Sequence, residues 1–261
     1  MKSTRKTRQR VPCKRTGIAA LFCDLGNVLV TFERRAEWLW KMAKLFNPKQ
    51  LDGSPDLDGT KKLSFFDRLA KCRILDLLQD AEAMFDGPDT GRVTAEQVYA
   101  GFISAADVTR DLVPPERFWA AYDAHLVIVP QTCRLIQEIQ ARGVVLIAAS
   151  NGNSWLTPDL LALTAGIRFD GVVLSWQIGC RKPGSDFYHT CRDRAEPVAG
   201  GTLTFPQCLL IDDTPSNIES FRQLNGHTIQ FKASRDPGVL AQRIAVLKRQ
   251  LAELGLGDTE E

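Results

Sequence analysis

Ile18-Ala-Ala-Leu-Phe-Cys-Asp-Leu-Gly-Asn-Val-Leu29 decides how this chain is read. Ile18–Cys23 is a nearly continuous apolar run, the pattern of a short strand buried on both faces. Asp24 follows where that strand would end. Four more runs share the character: Val144–Ala149, Val172–Trp176, Cys208–Ile211 and Thr228–Phe231. Amphipathic stretches lie between them, at Pro130–Arg142, Pro158–Thr164, Ser185–Arg194 and Pro215–Leu224. Thr157-Pro158 and Thr214-Pro215 each set a capping hydroxyl before a proline at a first helical position. This alternation predicts a doubly wound α/β fold with a parallel sheet.

One segment breaks the alternation. After the first strand, residues 33–127 show helical patterns and no convincing strand, clearest at Glu33–Phe46, Leu63–Leu78 and Ala95–Ala106. Thr94-x-x-Gln97 supplies a capping box for the last, and Asp86-Gly-Pro-Asp-Thr-Gly91 reads as a loop. The expected organisation is a core of 17–32 and 128–261 with an inserted helical cap at 33–127. The final helix, Pro237–Leu254, places Leu240, Ile244, Leu247, Leu251 and Leu254 on one face. That face is expected to pack on the sheet rather than form a coiled coil. Asp236 caps the helix and Gly255 stops it.

Composition bounds the function. The chain has 261 residues, 44% of them hydrophobic and 25% charged, an ordinary globular mix that excludes full-length disorder. No apolar run reaches the ~18 residues of a membrane span. Lys and Arg total 33 against 31 Asp and Glu, but seven of the positives fall in residues 1–16, which hold no acid. The other 26 face all 31 acids, so the body is mildly acidic, unlike a basic nucleic-acid-binding domain. Residues 1–16 have a composition that also suits a mitochondrial transit peptide. No amphipathic helix can be drawn through them, and they are read as a disordered basic tail. Seven cysteines without a CxxC give a reduced, intracellular pattern, and the expected compartment is the cytoplasm. Cys23 and Cys208 fall in strand-like runs, where cysteine acts as a small hydrophobe.

In open α/β sheets ligands bind at the carboxyl ends of the strands. There this sequence places Asp24, then Ser150-Asn-Gly-Asn153, then Gly179-Cys-Arg-Lys-Pro183, then Asp212-Asp-Thr214. Each alone is ordinary turn chemistry. Together they form an ordered set of acid, hydroxyl, lysine and acid pair that suits phosphoryl transfer. Asp24 would attack phosphorus, and a divalent cation held by Asp24 and the acid pair would offset their like charges. Ser150 would hold phosphate oxygens, and Lys182 would neutralise charge in the transition state.

These four segments resemble the motifs of the haloacid dehalogenase (HAD) superfamily, in its subfamily IA with a C1-type cap. The third reads Ser175-Trp-Gln-Ile-Gly-Cys-Arg-Lys-Pro-Gly-Ser-Asp-Phe-Tyr188, and with Asp24-Leu-Gly-Asn-Val28 it resembles the subgroup of bacterial sugar-phosphate phosphatases of the α-glucose-1-phosphatase type. The resemblance spans about residues 17–235. It implies Asp24 as nucleophile and metal ligand, Gly26 as a carbonyl ligand, Ser150 and the Asn151 N–H on phosphate, and Lys182 as the third-motif lysine. It further implies Asp213 as the main fourth-motif ligand of Mg2+, with Asp212 reaching the ion directly or through water. Asn217 stands where many members carry another carboxylate. The implied activity is a magnesium-dependent phosphatase, monomer or homodimer, acting on a small phosphorylated metabolite, with no nucleic-acid or membrane partner. The rivals are a dehalogenase-like hydrolase and a weakened regulatory or binding protein.

The departure is Gly26. Most phosphatases of the superfamily have a second aspartate two residues after the nucleophile, as acid and base. General acid–base catalysis is worth about 10²–10⁴-fold in rate, so poor leaving groups are expected to react slowly. Glu33 is the nearest acid downstream, at the start of a cap helix. Asp56-Leu-Asp58-Gly-Thr60 matches the usual first motif better, but it follows Asp-Gly-Ser-Pro, not a strand, and is set aside. Trp38, Trp40, Met42 and Phe46 are expected to pack the cap helices, and Arg34 and Arg35 to be exposed. His125, His189 and His227 match no ligand spacing.

Overall fold

The computed structural model describes residues 17–32, 45, 87–105, 109–123, 126–154, 164 and 166–257. Five strands form one parallel sheet: β1 (Ala20–Cys23), β4 (Val145–Ser150), β5 (Gly171–Leu174), β6 (Cys208–Asp212) and β7 (His227–Gln230). Their order across the sheet is β5-β4-β1-β6-β7, so the strand that carries Asp24 is central. Cys23 lies level with Ala148 of β4 and Ile211 of β6, which brings the ends of all three strands to one edge. This is the parallel α/β architecture that the alternation of runs predicts.

Both faces of the sheet are covered. Leu21, Cys23, Leu146, Ala148, Leu209 and Ile211 share one core with Ile136 and Ile139 of the Pro130–Ala141 helix and with Leu240, Leu247 and Leu251 of the Pro237–Glu253 helix. Ile244 and Leu254 are partly buried against it, so the seam of the last helix is a core face, as expected. Ala20, Phe22, Val145, Ile147, Cys208 and Leu210 meet Phe187, Tyr188 and Cys191 of the Ser185–Ala199 helix and Ile218 and Phe221 of Pro215–Gln223 on the other side. Burial raises the Cys23, Cys191 and Cys208 thiols well above the ordinary range, which fits space-filling rather than reactive cysteines.

Several local expectations are met. The Asp236 carboxylate accepts the Val239 N–H at 2.9 Å, and Gly255 ends that helix at φ 72°. Thr94 and Gln97 form a reciprocal capping box ahead of the Ala95–Ala105 helix.

Others are corrected. The run Val172–Trp176 stops being strand at Leu174, and Ser175 and Trp176 open a helical turn, Ser175–Ile178. Its apolar composition hid the break, which lies where the Ser175 hydroxyl accepts the Gly152 N–H at 3.1 Å. The Thr214 hydroxyl does not cap its helix; it donates to Asp213 Oδ1 at 3.1 Å. The Asp86–Gly91 stretch contains a helical turn, Gly87–Asp89. That turn packs beside Ser175–Ile178, and a Cβ at Gly91 would stand 2.6 Å from the Trp176 carbonyl oxygen.

A second, two-stranded antiparallel sheet was not expected. Val30–Phe32 (β2) pairs with Leu126–Ile128 (β3), so the two ends of the intervening segment lie side by side. Between these strands lie the Gly87–Asp89 turn and the helices Ala95–Ala105 and Pro115–Asp123. No helix among the described residues is long and apolar enough to cross a membrane. Residues 1–16, the expected helices at 33–46, 63–78 and 158–164 (save Leu45 and Thr164), Asp56–Thr60 and His125 lie outside the described residues.

Candidate active site

Asp24 stands one residue beyond the central strand. Its N–H continues the ladder to the Ile211 carbonyl at 3.0 Å, which fixes its backbone against β6. The residue is largely buried, at 7% exposure. Oδ1 accepts the Leu25 N–H at 2.9 Å and lies 3.1 Å from Lys182 Nζ. Among the described residues both contacts fall on Oδ1, which leaves Oδ2 uncommitted.

Lys182 is 2% exposed, and its ammonium lies between two acids: Asp24, and Asp212 Oδ2 at 2.5 Å. A buried cation needs such partners, because desolvation without them costs several kcal/mol. Burial pulls the lysine pKa down, but the Asp24 and Asp212 charges outweigh it and hold the ammonium above its ordinary range. Asp24 responds oppositely. Burial pushes its carboxyl up to about 7; Lys182 pulls it down and Asp212 adds to the rise.

The lysine is aimed by its backbone. The Asn151 side chain accepts the Lys182 N–H and donates to the Lys182 carbonyl, both at 2.9 Å. Asn151 was expected to act through its own N–H; its amide side chain has this further duty. One strand end is thereby pinned to the loop that carries the lysine. Ser150 ends β4 and is 2% exposed, with its hydroxyl 3.3 Å from the Asn151 carbonyl.

The acid pair divides. Asp212 is fully buried and both its oxygens are engaged: Oδ2 by Lys182, Oδ1 by the Thr214 N–H and the Asn217 amide, each at 2.9 Å. Asn217 therefore serves Asp212. Asp213 is turned toward the turn after β1. Its Oδ2 accepts Asn27 Nδ2 at 3.1 Å and lies 4.0 Å from the exposed Lys232 ammonium. Asp24, Asp212 and Asp213 each offer one oxygen within 4.8 Å of the others, a spacing that could hold a metal ion. The donors are hard oxygens, the kind Mg2+ takes. The Gly26 carbonyl is an oxygen of the same hard kind. Asn27 N–H and Val30 N–H close the turn through the Val30 and Leu25 carbonyls, and no bond among the described residues uses that of Gly26.

Asn27 was not singled out from the sequence. It sits at φ 56°, a left-handed conformation that asparagine tolerates better than most residues. Gly26 is not in that region, so its lack of a side chain is not required by a positive φ.

The sequence matches no protein-family profile, and no curated protein is similar enough to count as a relative. Solved structures share the fold. A HAD family enzyme of Bacteroides thetaiotaomicron, solved with magnesium and inorganic phosphate, superposes at TM-score 0.60 over 85% of this chain and 98% of its own, at 19% identity. A HAD phosphatase from Thermococcus onnurineus matches at TM-score 0.52 over 90% of this chain and 98% of its own, at 15% identity. An L-2-haloacid dehalogenase matches at 0.56 over 90% and 99%, at 19% identity. The chain thus has the fold of HAD family enzymes.

Proposed function

We propose that this chain is a magnesium-dependent phosphatase acting on a small phosphorylated metabolite, a sugar phosphate foremost, through a phosphoaspartate on Asp24. The observation that carries the reading is the Lys182 ammonium set between Asp24 and Asp212, with Asp213 alongside. In the first step an Asp24 oxygen bonds to phosphorus as the bond to the leaving oxygen breaks. That oxygen departs with the electron pair and takes a proton from water. In the second step water attacks phosphorus, Asp24 is released as a carboxylate, and inorganic phosphate leaves. Lys182 favours the ionised form of Asp24 against its burial and offsets the charge on the phosphoryl group. Ser150 and the Asn151 N–H would receive phosphoryl oxygens. Asp24, the Gly26 carbonyl and Asp213 would hold magnesium, with Asp212 acting on it at longer range. When bound, the ion would balance the carboxylates and polarise the phosphoryl group.

The segment 33–127 would serve as the cap that excludes bulk water. The enzyme would work in the cytoplasm as a monomer or homodimer, with the metabolite as its partner. A dehalogenase reading draws on Gly26, where an acid/base aspartate is missing, and on the shared fold of the L-2-haloacid dehalogenase. Asp213 beside Asp24 counts against it, because that chemistry needs no cation. The test is turnover of an aryl phosphate with magnesium and with chelator, beside halide release from a 2-haloacid. Phosphatase turnover that chelation abolishes supports the proposal. Halide release in chelator, with no phosphatase turnover, overturns it.

A further inference from the structure

We infer that Asn27 is a positioning residue that orients the Asp213 carboxylate toward the cation. The inference rests on the magnesium reading above. Asn27 joins three segments that lie far apart in sequence. Its N–H donates to the Val30 carbonyl at 2.6 Å, within the turn after β1. Its carbonyl accepts the Ala233 N–H at 2.6 Å, from the loop after β7. Its side-chain amide donates to Asp213 Oδ2 at 3.1 Å, from the loop after β6. The backbone bonds hold the residue still, and the left-handed φ of 56° points its amide where an extended residue would not.

Asp213 then has one side-chain donor on each oxygen, Asn27 Nδ2 on Oδ2 and Thr214 Oγ1 on Oδ1. Those two bonds fix the plane of the carboxylate and leave its remaining lone pairs for a ligand. Lys232 adds only a distant, exposed charge, so the Asn27 amide is the contact that sets direction. Partners of this kind that hold a metal ligand in place typically govern affinity by 10–100-fold.

Asn27→Gly is the clean test. Glycine adopts the same φ without strain, so the turn stays and only the amide is lost. Magnesium binding to substrate-free protein, measured by calorimetry, should weaken about tenfold or more. The melting temperature in chelator should stay close to wild type. In turnover the magnesium requirement should rise while kcat at saturating magnesium recovers, as for a residue that acts through Asp213. Asn27→Asp keeps the size but sets a carboxylate against Asp213, so in chelator it should melt below Asn27→Gly. An Asn27→Gly protein that binds magnesium as wild type does overturns the inference. So does an Asn27→Asp protein that melts in chelator as wild type does. A wild type that binds no magnesium overturns the reading beneath it, and the inference with it.

Discussion

Asp24 is held with Oδ1 committed to the protein, through the Leu25 N–H and Lys182, and Oδ2 takes no contact among the described residues. Asp24→Asn can keep the bond to the Leu25 N–H, yet an amide does not attack phosphorus. Turnover of an aryl phosphate should fall by roughly 10³-fold or more, with the melting curve little changed. Near wild-type turnover in that variant would remove the nucleophile assignment. Asp56→Asn, in the stretch that mimics the first motif, should leave the rate as it was. Gly26 sets the second expectation. Without a proton donor two residues on, the rate of Asp24 phosphorylation should fall steeply as the leaving alcohol becomes less acidic. Aryl and anomeric phosphates should therefore outrun esters of ordinary alcohols. Gly26 does not occupy a left-handed φ, so Gly26→Asp meets no strain on that account and should help the poorest leaving groups most. A flat leaving-group series in wild type would mean that another group already donates the proton. At this scale the sequence pointed to Asp24, Ser150 and the acid pair, because each directly follows an apolar run, and to Lys182 in the loop beyond the third run. It did not reveal what aims them. Asn27 and Asp213 are 186 residues apart, and Asn151 and Lys182 are 31 apart. No local pattern announces a side-chain bond across such a distance.

Elements were legible where burial imposes a period. The three inner strands appear as apolar runs because both their faces are covered; the edge strand β7 buries chiefly Ile229, and the last helix appears as a seam of leucines. The ribbon of β2 and β3 escaped notice because three-residue strands are too short to establish a period. The turn Gly87–Asp89 escaped for the same reason, and it carries a titratable group. Asp89 Oδ2 lies 3.5 Å from Arg181 Nη2, next to the site lysine. Burial pushes the Asp89 carboxyl up to about 7, which the guanidinium at that distance does not undo. The folded state therefore holds a proton that the unfolded state, with an ordinary aspartate, gives up near pH 4. Stability from this group is full below pH 4 and declines as pH rises through about 7. Asp89→Asn, which cannot ionise, should show a flatter fall of melting temperature between pH 4 and 8. Parallel curves for the two proteins would mean that Asp89 titrates as an exposed aspartate does.

Across the whole molecule, the site works against the fold that bears it. Three carboxylates converge at the edge of the sheet, where Lys182 supplies the one buried ammonium among the described residues. Like charges so close repel, and the packed sheet beneath cannot move them apart. The apo protein should therefore gain stability from anything that removes a negative charge there. Asp213→Asn is the variant to use, because Asp212 is tied up by Lys182, Thr214 and Asn217 while Asp213 is not part of that knot. The new amide still offers an oxygen to Asn27 and can donate to the Thr214 hydroxyl. In chelator the variant should melt at or above the wild-type temperature. Magnesium should reverse the order. Wild type at a concentration near 100 times its Kd should gain about 2.7 kcal/mol. For a domain of this size that is a rise of roughly 5–10 °C, and Asp213→Asn should gain little of it. The same variant should lose phosphatase turnover, so that activity and apo stability change in opposite directions. Equal magnesium-induced shifts in the two proteins would place the cation somewhere other than this cluster. A variant that melts well below wild type in chelator would mean that Asp213 supports the fold through Asn27 and Thr214 more than it strains it.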